Sequence, residues 1–415
     1  MKIFWVGNTH ADALAKLFAE ETSKDQKDVS YRELKARVDA SYTNYFATGW
    51  CKALQEIGYE TENVVVNADF LQKLWLAENS VHRNDLSLEE ILLLQIKAYC
   101  PDILFAGDVC SASFLQQVKK EVSSVRLIIG WAGSAVAKEP ARQDLWGVVD
   151  VILCCAPESV SYLQQKGANA VHMNHAFSPE ILSVLHKNVG KCSGISFIGS
   201  IVRGKEYHLF REKLLLGLLD VLPLDIYSPS AKYRKIDFLR AALAGGLYDV
   251  VHLLPQWAKG SFFSRIPFLN IACTWGERPR FPVNYKLHKY MRTPVYGIEM
   301  FDALWRSNIV LNIHADSSPE FASNMRLYEA TGVGVCLLTD NKKNMEELFT
   351  PGREVVVYDS LEDCVEKATW LNEHPKERQG IAEAGAIRCL KEHTYRNRAI
   401  ELDKIIRDSL RSNSL

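Results

Sequence analysis

The sequence predicts an α/β protein with two domains, each built on a parallel sheet that helices cover on both faces. Short apolar runs recur along the chain, and segments with helical spacing of apolar residues separate them. The runs lack the alternation of a half-exposed strand, as expected for strands that are buried on both faces. A chain of 415 residues also exceeds one ordinary core, which favours two domains of roughly 200 residues each.

The first domain is predicted over residues 1–178. Its strands are predicted at residues 2–7, 64–66, 102–108, 126–131, 149–155 and 170–173. Apolar residues at helical spacing predict helices at residues 41–57, 86–98 and 159–165, between these strands. Strands and helices that alternate in this way form a Rossmann-like sheet, and residues 174–180 are predicted to lead out of it.

The second domain is predicted over residues 179–395. Its strands are predicted at residues 195–200, 224–227, 308–314, 335–338 and 354–358, with a helix at residues 205–219. Residues 228–292 form an atypical basic segment within it, less regular and with 11 Lys and Arg against three Asp and Glu. Residues 396–415 are predicted as a C-terminal helix, and whether that helix packs back on the first domain stays open.

Composition excludes several classes of protein. The 49 basic and 50 acidic residues balance, so no nucleic-acid partner is expected. Ten cysteines without a CxxC spacing are interpreted as buried thiols in a reducing compartment, and no metal site is expected. The first apolar run is too short for a signal peptide, and no uncharged apolar stretch of about 18 residues occurs. We therefore expect a cytoplasmic protein, with peripheral contact at the inner face of a membrane left open.

Residues that directly follow predicted strands are the first site candidates, because parallel sheets bind ligands at the carboxyl ends of their strands. Gly7 with Asn8, Asp108 and the segments 199–205, 312–316 and 339–341 all follow apolar runs. Neither GxGxxG nor GxxxxGK[ST] occurs, which excludes the common glycine-rich nucleotide motifs. Arg203 and Lys205 follow Gly199 beside a predicted helix start, where they form either a diphosphate clamp or a solvated surface pair.

Asp108 and His314 are two further candidates with open alternatives. Asp108 ends a strand of the first domain and either contacts a ligand or caps the helix that begins near Ser111. His314 ends a strand of the second domain and either contacts a ligand or is a structural histidine.

A long ordered string in the second domain carries a family resemblance. Residues 324–349, NMRLYEATGVGVCLLTDNKKNMEELF, and residues 351–395 closely resemble the C-terminal domain of group 1 glycosyltransferases, particularly the CgeB-like set. Weaker similarity includes MKIFWVGN, PDILFAGD, FIGS and VLNIH and spans most of the chain; residues 228–292 are the least covered part. The resemblance implies the GT-B fold: two Rossmann-like domains that face a central cleft, with the donor nucleotide sugar held mainly by the second domain and the acceptor by the first.

The resemblance also implies roles for individual residues. Glu329 aligns with the second glutamate of the family's E-x7-E motif, which typically hydrogen-bonds the ribose hydroxyls. Phe321 occupies the first glutamate position, and the adjacent Glu320 takes that role if the alignment shifts by one residue.

The same resemblance implies a diphosphate clamp and a set of donor contacts. Lys205 matches the family's lysine, while the arginine position holds Ser200 and Arg203 is its substitute. The resulting catalytic candidates are Asp108, Lys205 and Glu320. The donor-binding candidates are Gly7, Asn8, Gly199, Arg203, Lys205, Tyr296, Gly297, His314, Asn324, Met325, Arg326 and Glu329.

These expectations combine into a predicted glycosyltransferase that moves a sugar from a nucleotide-sugar donor to an acceptor hydroxyl, in cell-surface polysaccharide or glycoconjugate synthesis. The resemblance favours retention of configuration, and the absence of Asp-x-Asp agrees with a metal-independent reaction without a cofactor. A glycan or lipid-linked acceptor is expected. Residues 228–292 either contact an anionic membrane or pack as an insertion with a solvated basic face. Two alternatives stay open: a nucleotide-sugar epimerase of GT-B fold, and a non-catalytic binding protein on a degenerate glycosyltransferase fold.

Overall fold

The computed structural model of the chain describes residues 1–22, 29–83, 85–107, 109–134, 136, 143–185, 190, 194–201, 203, 208–253, 273 and 275–412. They belong to two compact units, one made of Met1–Ser193 with Tyr296–Leu415 and the other of Gly194–Val295. The chain forms two parallel six-stranded sheets with helices between the strands. The predicted α/β class is therefore confirmed.

The N-terminal part of the larger unit is a six-stranded parallel sheet with strand order β2-β1-β3-β4-β5-β6. Its strands are β1 (Lys2–Gly7), β2 (Glu60–Val65), β3 (Ile103–Ala106), β4 (Leu127–Ala132), β5 (Val151–Cys154) and β6 (Ala170–His172). Its helices are α1 (Ala11–Thr22), α2 (Tyr31–Ala40), α3 (Tyr45–Glu56), α4 (Asp69–Glu78), α5 (Leu88–Tyr99), α6 (Ala112–Glu121), α7 (Gln143–Trp146), α8 (Pro157–Gln165) and α9 (Ile181–Val184).

Burial and capping explain why these segments fold as they do. Every residue of β3 and β5 is buried, which is why these strands appear in the sequence as uninterrupted apolar runs. Ser30 begins α2 and Ser87 begins α5, each in a capping box with a glutamate three residues later. The serine oxygen accepts a hydrogen bond from a backbone N–H that the helix itself leaves unpaired.

The described residues of the smaller unit include three parallel strands in the order β7-β8-β9. They are β7 (Ile195–Ile198), β8 (Leu224–Tyr227) and β9 (Met291–Arg292), and the helices are α10 (Leu209–Leu219), α11 (Lys235–Leu253) and α12 (Tyr285–His288), with a 3-10 turn at Pro229–Lys232. The 19-residue helix α11 lies in the segment whose sequence looked irregular. The sequence did not predict this helix, because alanine, leucine and glycine occur on all of its sides and the 3.6-residue period is weak.

The C-terminal part of the larger unit contains three further parallel strands and six helices. The strands are β10 (Ile309–Asn312), β11 (Cys336–Asp340) and β12 (Val356–Tyr358). The helices are α13 (Gly297–Arg306), α14 (Arg326–Gly332), α15 (Met345–Leu348), α16 (Leu361–Glu373), α17 (Pro375–Glu392) and α18 (Tyr395–Ser412). Gly332 ends α14, and a Cβ there would lie 2.3 Å from the ring of Phe177, so only glycine allows this approach.

Helix α18 packs on α3 of the N-terminal part. The Tyr395 ring lies 5.7 Å from Trp50 and covers Gly49, where a Cβ would come within 2.6 Å of that ring. The Tyr59 hydroxyl donates to Asp403 over 2.6 Å. These contacts tie the two parts of the larger unit together, so side chains that follow strands of both parts can share one site.

Candidate active site

Polar side chains cluster where β10 and β11 end. Asn312 is the last residue of β10 and pairs in register with Thr339 of β11, next to Asp340, which ends that strand. Because the two strands run parallel, their carboxyl ends share one edge of the sheet. That edge is where α/β folds bind their ligands.

Asn312 anchors the start of α14 to this edge. Its side-chain Nδ2 donates to Thr339 Oγ1 over 2.9 Å, and Asn324 Nδ2 donates to Asn312 Oδ1 over 2.6 Å. Asn312 is 3% exposed, so these bonds form in a site shielded from water and fix the position of Asn324. Asn324, predicted to bind the donor sugar nucleotide, therefore helps to fix the start of α14.

His314 forms a buried pair with Asp340. Its Nδ1 lies 2.7 Å from Asp340 Oδ1, and its backbone N–H donates to the same oxygen over 3.0 Å. Lys342 Nζ lies 3.2 Å from the second oxygen. Burial opposes ionisation of Asp340, but the charges and hydrogen bonds of His314 and Lys342 outweigh it and lower the pKa of Asp340 to about 2. Asp340 is therefore an ionised acceptor at neutral pH.

Glu329 is buried on α14, and both of its carboxyl oxygens have partners. Arg326, one turn earlier on the same helix, holds Oε2 at 2.6 Å from its Nη1. The hydroxyl of Tyr45 on α3 donates to Oε1. Met325, the residue before α14, also touches the Tyr45 hydroxyl through its sulfur, 3.8 Å away. The carboxyl group thus faces the N-terminal part of the unit.

Burial shifts the ionisation of this pair. It raises the pKa of Glu329 to about 8 and lowers the pKa of Arg326 to about 10, since each charged form loses water. The guanidinium favours the ionised carboxylate, but burial prevails. Perturbed groups of this kind mark candidate functional sites.

The connection from β10 to α14 is held by a carboxylate from the N-terminal part. Oε1 of Glu158, in the first turn of α8, accepts hydrogen bonds from the backbone N–H groups of Glu320 at 3.2 Å and Phe321 at 3.0 Å. The Ser318 hydroxyl is 3.4 Å from the same oxygen. The side chain of Glu320 is exposed and pairs with Lys343 over 2.8 Å, so its carboxylate points to solvent-facing partners.

Tyr296 and Gly297 lie against the turn that follows β1. The Tyr296 ring lies 4.8 Å from His10, three residues after Gly7. Gly297 begins α13 with φ +55°, and a Cβ there would lie 2.2 Å from the carbonyl oxygen of Ser41. Asn8 is exposed beside Gly7, at the carboxyl end of β1. These four donor candidates, Gly7, Asn8, Tyr296 and Gly297, therefore occupy one neighbourhood.

In the smaller unit, Gly199 and Arg203 follow β7. Gly199 donates its N–H to the Tyr227 carbonyl over 3.1 Å. Arg203 makes a bidentate ion pair with Glu212 of α10, with Nη2 and Nε 2.6 and 2.8 Å from the carboxylate oxygens. A guanidinium engaged in this way must leave Glu212, or share it, before it can hold a diphosphate.

Two predicted catalytic residues, Asp108 and Lys205, lie outside the described residues. The alternative role of Asp108 as a helix cap is filled by another residue. Ser111 caps α6, and its hydroxyl oxygen accepts from the Phe114 N–H over 3.1 Å.

The larger unit brings most of the donor candidates near the N-terminal part, and it adds residues that sequence reasoning missed. Tyr45 and Glu158 contact the candidate segment from helices more than 150 positions away in the chain. Tyr45 looks like an ordinary core aromatic of an amphipathic helix. Glu158 looks like a carboxylate that complements the dipole of a helix start. Neither pattern carries a signal that could have assigned them to the site.

A protein-family match supports the resemblance to glycosyltransferases but does not identify the CgeB-like set. Residues 254–404 match the family model described as Glycosyl transferase-like. The match includes β10, β11, α14 and the polar edge described above. No curated protein matches the sequence.

Solved structures share the fold over the whole chain. Sucrose-phosphate synthase from Thermosynechococcus elongatus is 10% identical with a TM-score of 0.53, over 99% of this chain and 100% of that one. AviGT4, a glycosyltransferase involved in avilamycin A biosynthesis, is 10% identical with a TM-score of 0.53, over 99% of this chain and 98% of that one. HepE of Anabaena, in complex with UDP-glucose, is 10% identical with a TM-score of 0.51, over 98% of this chain and 100% of that one. At such identity the likeness concerns the fold, and the predicted GT-B fold is confirmed.

No described helix combines the length and apolar character needed to cross a membrane. In the same part of the chain, no three or more His, Cys, Asp or Glu side chains are grouped so that they could hold a metal ion.

Proposed function

We propose that this protein is a glycosyltransferase that moves a sugar from a nucleotide-sugar donor to an acceptor hydroxyl. The observation that carries the proposal is the Glycosyl transferase-like match over residues 254–404, which includes the polar edge formed by Asn312, His314 and Asp340. The GT-B fold supports it, although one fold hosts many functions.

In this proposal the polar edge and α14 bind the donor. Glu329 would accept hydrogen bonds from the ribose hydroxyls, which would share Oε1 with the Tyr45 hydroxyl or displace it. Arg326 would oppose the negative charge that develops on the departing diphosphate. The same role is proposed for Lys205 from the family resemblance, and for Arg203 once it has left Glu212. Tyr296 and Gly297 would contact the base.

We propose that the reaction needs no metal and retains the anomeric configuration. Cationic side chains can stabilise the leaving diphosphate in place of a metal ion. Retention would need no strong protein nucleophile. Turnover that persists in EDTA would support a reaction without a metal. The NMR coupling constant of the product's anomeric proton would show whether the configuration is retained.

A thermal-shift screen tests the donor assignment. The protein would be heated with UDP, GDP, TDP and their sugars, and a specific nucleotide should raise the melting temperature because it binds only the folded state. HepE was crystallised with UDP-glucose, so uridine donors are the first to try. A response to no nucleotide would contradict the proposal.

A second measurement separates transfer from epimerisation. Incubation with the donor alone, followed by NMR, would reveal a changed sugar if the protein were an epimerase. A transferase needs an acceptor hydroxyl and leaves the donor sugar's stereochemistry intact.

A non-catalytic binding protein is the second candidate, and a specific observation favours it. Both oxygens of Glu329 and the guanidinium of Arg203 already have protein partners, as expected if the fold had lost its ligand. Nucleotide binding without transfer to any of a panel of glycan and lipid-linked acceptors would support this candidate.

We further propose that the protein works in the cytoplasm, at the inner face of a membrane, on a glycan or lipid-linked acceptor for cell-surface polysaccharide or glycoconjugate synthesis. Helix α11 in the smaller unit supports the membrane contact. Its outward side carries a stripe of exposed apolar residues at helical spacing, here named the α11 stripe: Ile236, Leu239, Leu243, Val250 and Leu253, with exposed fractions of 40, 54, 65, 57 and 86%. Exposed Lys235 and Arg240 lie beside the stripe, so anionic lipid is the surface that its charge complements.

A further inference from the structure

An apolar pocket of about 580 Å³ is lined by residues of α1, α2 and α4 in the larger unit. Leu14 and Phe18 of α1, Leu34 of α2, and Phe70 and Leu74 of α4 supply most of its apolar lining. Small-molecule sites have this size, and they combine mostly apolar walls with a few polar groups. The pocket is therefore large enough and apolar enough to hold part of a ligand.

Phe18 leaves a large part of an aromatic ring in water at this pocket. The residue is 46% exposed, and its ring centroid lies 5.2 Å from that of Phe70. Leu14, one turn earlier on α1, is only 6% exposed. The lining thus includes both a buried leucine and a water-exposed ring, so an apolar group that binds here would remove apolar protein surface from water and gain free energy.

The pocket adjoins the turn that follows β1. Asn67 lines the pocket; its Oδ1 accepts from the Thr9 N–H over 3.1 Å, and its Nδ2 donates to the Thr9 carbonyl over 2.8 Å. Thr9 lies between the donor candidate Asn8 and His10, whose ring packs on Tyr296. Because Asn67 follows β2, the pocket lies at the carboxyl edge of the N-terminal sheet, where α/β folds bind ligands.

The polar groups of the lining favour a hydrocarbon chain over a sugar ring. Asn67 already uses both ends of its amide on the backbone of Thr9, and the side chains of Asp69 and Lys73 are exposed to water. A sugar ring would bring several hydroxyls into the pocket, and each one left without a partner costs free energy. A hydrocarbon chain has no such groups and gains free energy from contact with apolar walls.

We propose that this pocket binds a hydrocarbon chain carried by the acceptor, with the acceptor's polar head toward the turn at Asn8 and Thr9. The chain would pack against Leu14, Phe18 and Phe70. This proposal rests on the proposed function, because it concerns the acceptor of that reaction. It names the acceptor class as a lipid-linked or alkyl-substituted hydroxyl compound rather than a free glycan.

A series of n-alkyl β-D-glucosides tests whether the pocket binds a chain. Butyl, hexyl and octyl glucosides would be titrated calorimetrically into the wild-type protein, below their micelle concentrations. The sugar head is the same in every probe, so the change of affinity with chain length reports on the chain alone. We expect the affinity to rise by up to about four-fold for each added CH₂ group, the ratio for a methylene that becomes fully buried.

Two variants and a matched control locate the chain. Phe18→Gln replaces an apolar wall with an amide and keeps a good helix former in α1, so octyl glucoside should bind about ten-fold more weakly. Ala15→Trp adds a large ring at an exposed position of the lining and should compete with the chain. Ile400→Gln is the control and should behave as wild type, since Ile400 on α18 is also 46% exposed and lies outside the lining. Melting temperatures would show that each variant is folded.

Competition in transfer assays tests whether the chain belongs to the acceptor. Octyl glucoside should inhibit transfer competitively against the acceptor, or serve as an acceptor itself. Competition with the nucleotide sugar would contradict the acceptor role, because the chain would then occupy the donor's site.

The outcomes separate the acceptor pocket from the proposed function. Nucleotide binding is measured without any acceptor, so a wild-type protein that binds no nucleotide would overturn the proposed function, and the acceptor role of the pocket would fall with it. If nucleotide binds, equal affinities for all chain lengths would overturn the acceptor pocket alone. Unchanged binding of octyl glucoside by Phe18→Gln would do the same, because the chain would then bind elsewhere. Dimerisation of the wild type that Phe18→Gln abolishes would assign the pocket to a second copy of the chain and would also overturn it.

Discussion

Tyr45 and Glu329 are joined by a buried hydrogen bond although 284 positions separate them in the chain. The tyrosine lies on α3 of the N-terminal part and the glutamate on α14 of the C-terminal part, so the bond links the two parts of the larger unit. A ligand hydroxyl that reaches Oε1 would share this oxygen with the tyrosine hydroxyl or displace it, because a carboxylate oxygen can accept about two hydrogen bonds.

Tyr45→Phe should therefore destabilise the protein without harming nucleotide binding. The variant keeps the ring that packs on Phe301 but leaves Oε1 of Glu329 without its donor. A buried acceptor left unpaired costs about 1–3 kcal/mol, which urea unfolding would measure. Tyr290→Phe, at a 51% exposed position, is the control and should change little. Equal unfolding free energies for Tyr45→Phe and wild type would contradict the structural importance of this bond.

Glu329→Gln should change how stability depends on pH. Burial raises the pKa of Glu329 from 4.5 to about 8, so between these values the folded state holds a proton that the unfolded state has released. The contribution of Glu329 to the free energy of unfolding is fully present below about pH 4.5 and is lost as pH rises toward about 8. The loss is at most about 1.4 kcal/mol per pH unit. The groups that face it are Arg326, Tyr45 and Tyr395.

The measurement is a series of urea unfolding curves between pH 5 and pH 9. Wild type should lose stability relative to Glu329→Gln over this range, since the amide does not titrate. Glu366→Gln, at an exposed position of α16, serves as the control and should run parallel to wild type. If the free energy of unfolding changed with pH in the same way for Glu329→Gln and wild type, the pKa of Glu329 would not be raised.

Gly297→Ala should destabilise the start of α13. The residue has φ +55°, and a Cβ would lie 2.2 Å from the Ser41 carbonyl oxygen, so the substitution adds both backbone strain and a steric clash. We expect a loss of about 2 kcal/mol or more in the free energy of unfolding. Gly246→Ala is the control, because its Cβ would meet nothing within 4 Å and alanine favours the helix. That control should gain up to about 1 kcal/mol.

Asp340→Asn should lower the free energy of unfolding by about 2 kcal/mol or more at neutral pH, because His314 and Lys342 lose the buried negative charge that they contact. The pKa of Asp340 is lowered from 3.8 to about 2, so its stabilisation is present above about pH 3.8 and is lost as pH falls toward 2. The stability gap between wild type and variant should narrow in that window. Asp359→Asn, at an exposed position, provides the comparison in thermal unfolding. A gap that stays constant down to pH 2 would contradict the depressed pKa.

The fold was predictable because buried parallel strands leave uninterrupted apolar runs in the sequence. The polar edge was predictable for a related reason, since residues such as His314 follow such runs and parallel strands end together. Helix α11 was missed because apolar residues lie all around it and its period is weak.

The partners of the site residues could not be predicted, because they come from distant helices. Nothing in the local pattern of Tyr45 or Glu158 records that they meet Glu329 and the backbone of Phe321. Those contacts depend on how the two parts of the larger unit pack, which no short stretch of sequence encodes. The Glu158 carboxylate lies next to Phe321, at the position where the resemblance expects an acid of its own.

The α11 stripe leads to a prediction about membranes. Leu243 is 65% exposed and points away from the buried side of α11, where Phe238, Gly245 and Val251 pack. Leu243→Asp should weaken sedimentation of the protein with anionic vesicles, because it removes an apolar side chain worth about 1–3 kcal/mol when buried and adds a repelled charge. Ile387→Asp is the matched control, since Ile387 on α17 is 68% exposed and lies in the larger unit. Wild-type protein that fails to bind such vesicles at any salt concentration, or equal binding by Leu243→Asp, would exclude the stripe as a membrane contact.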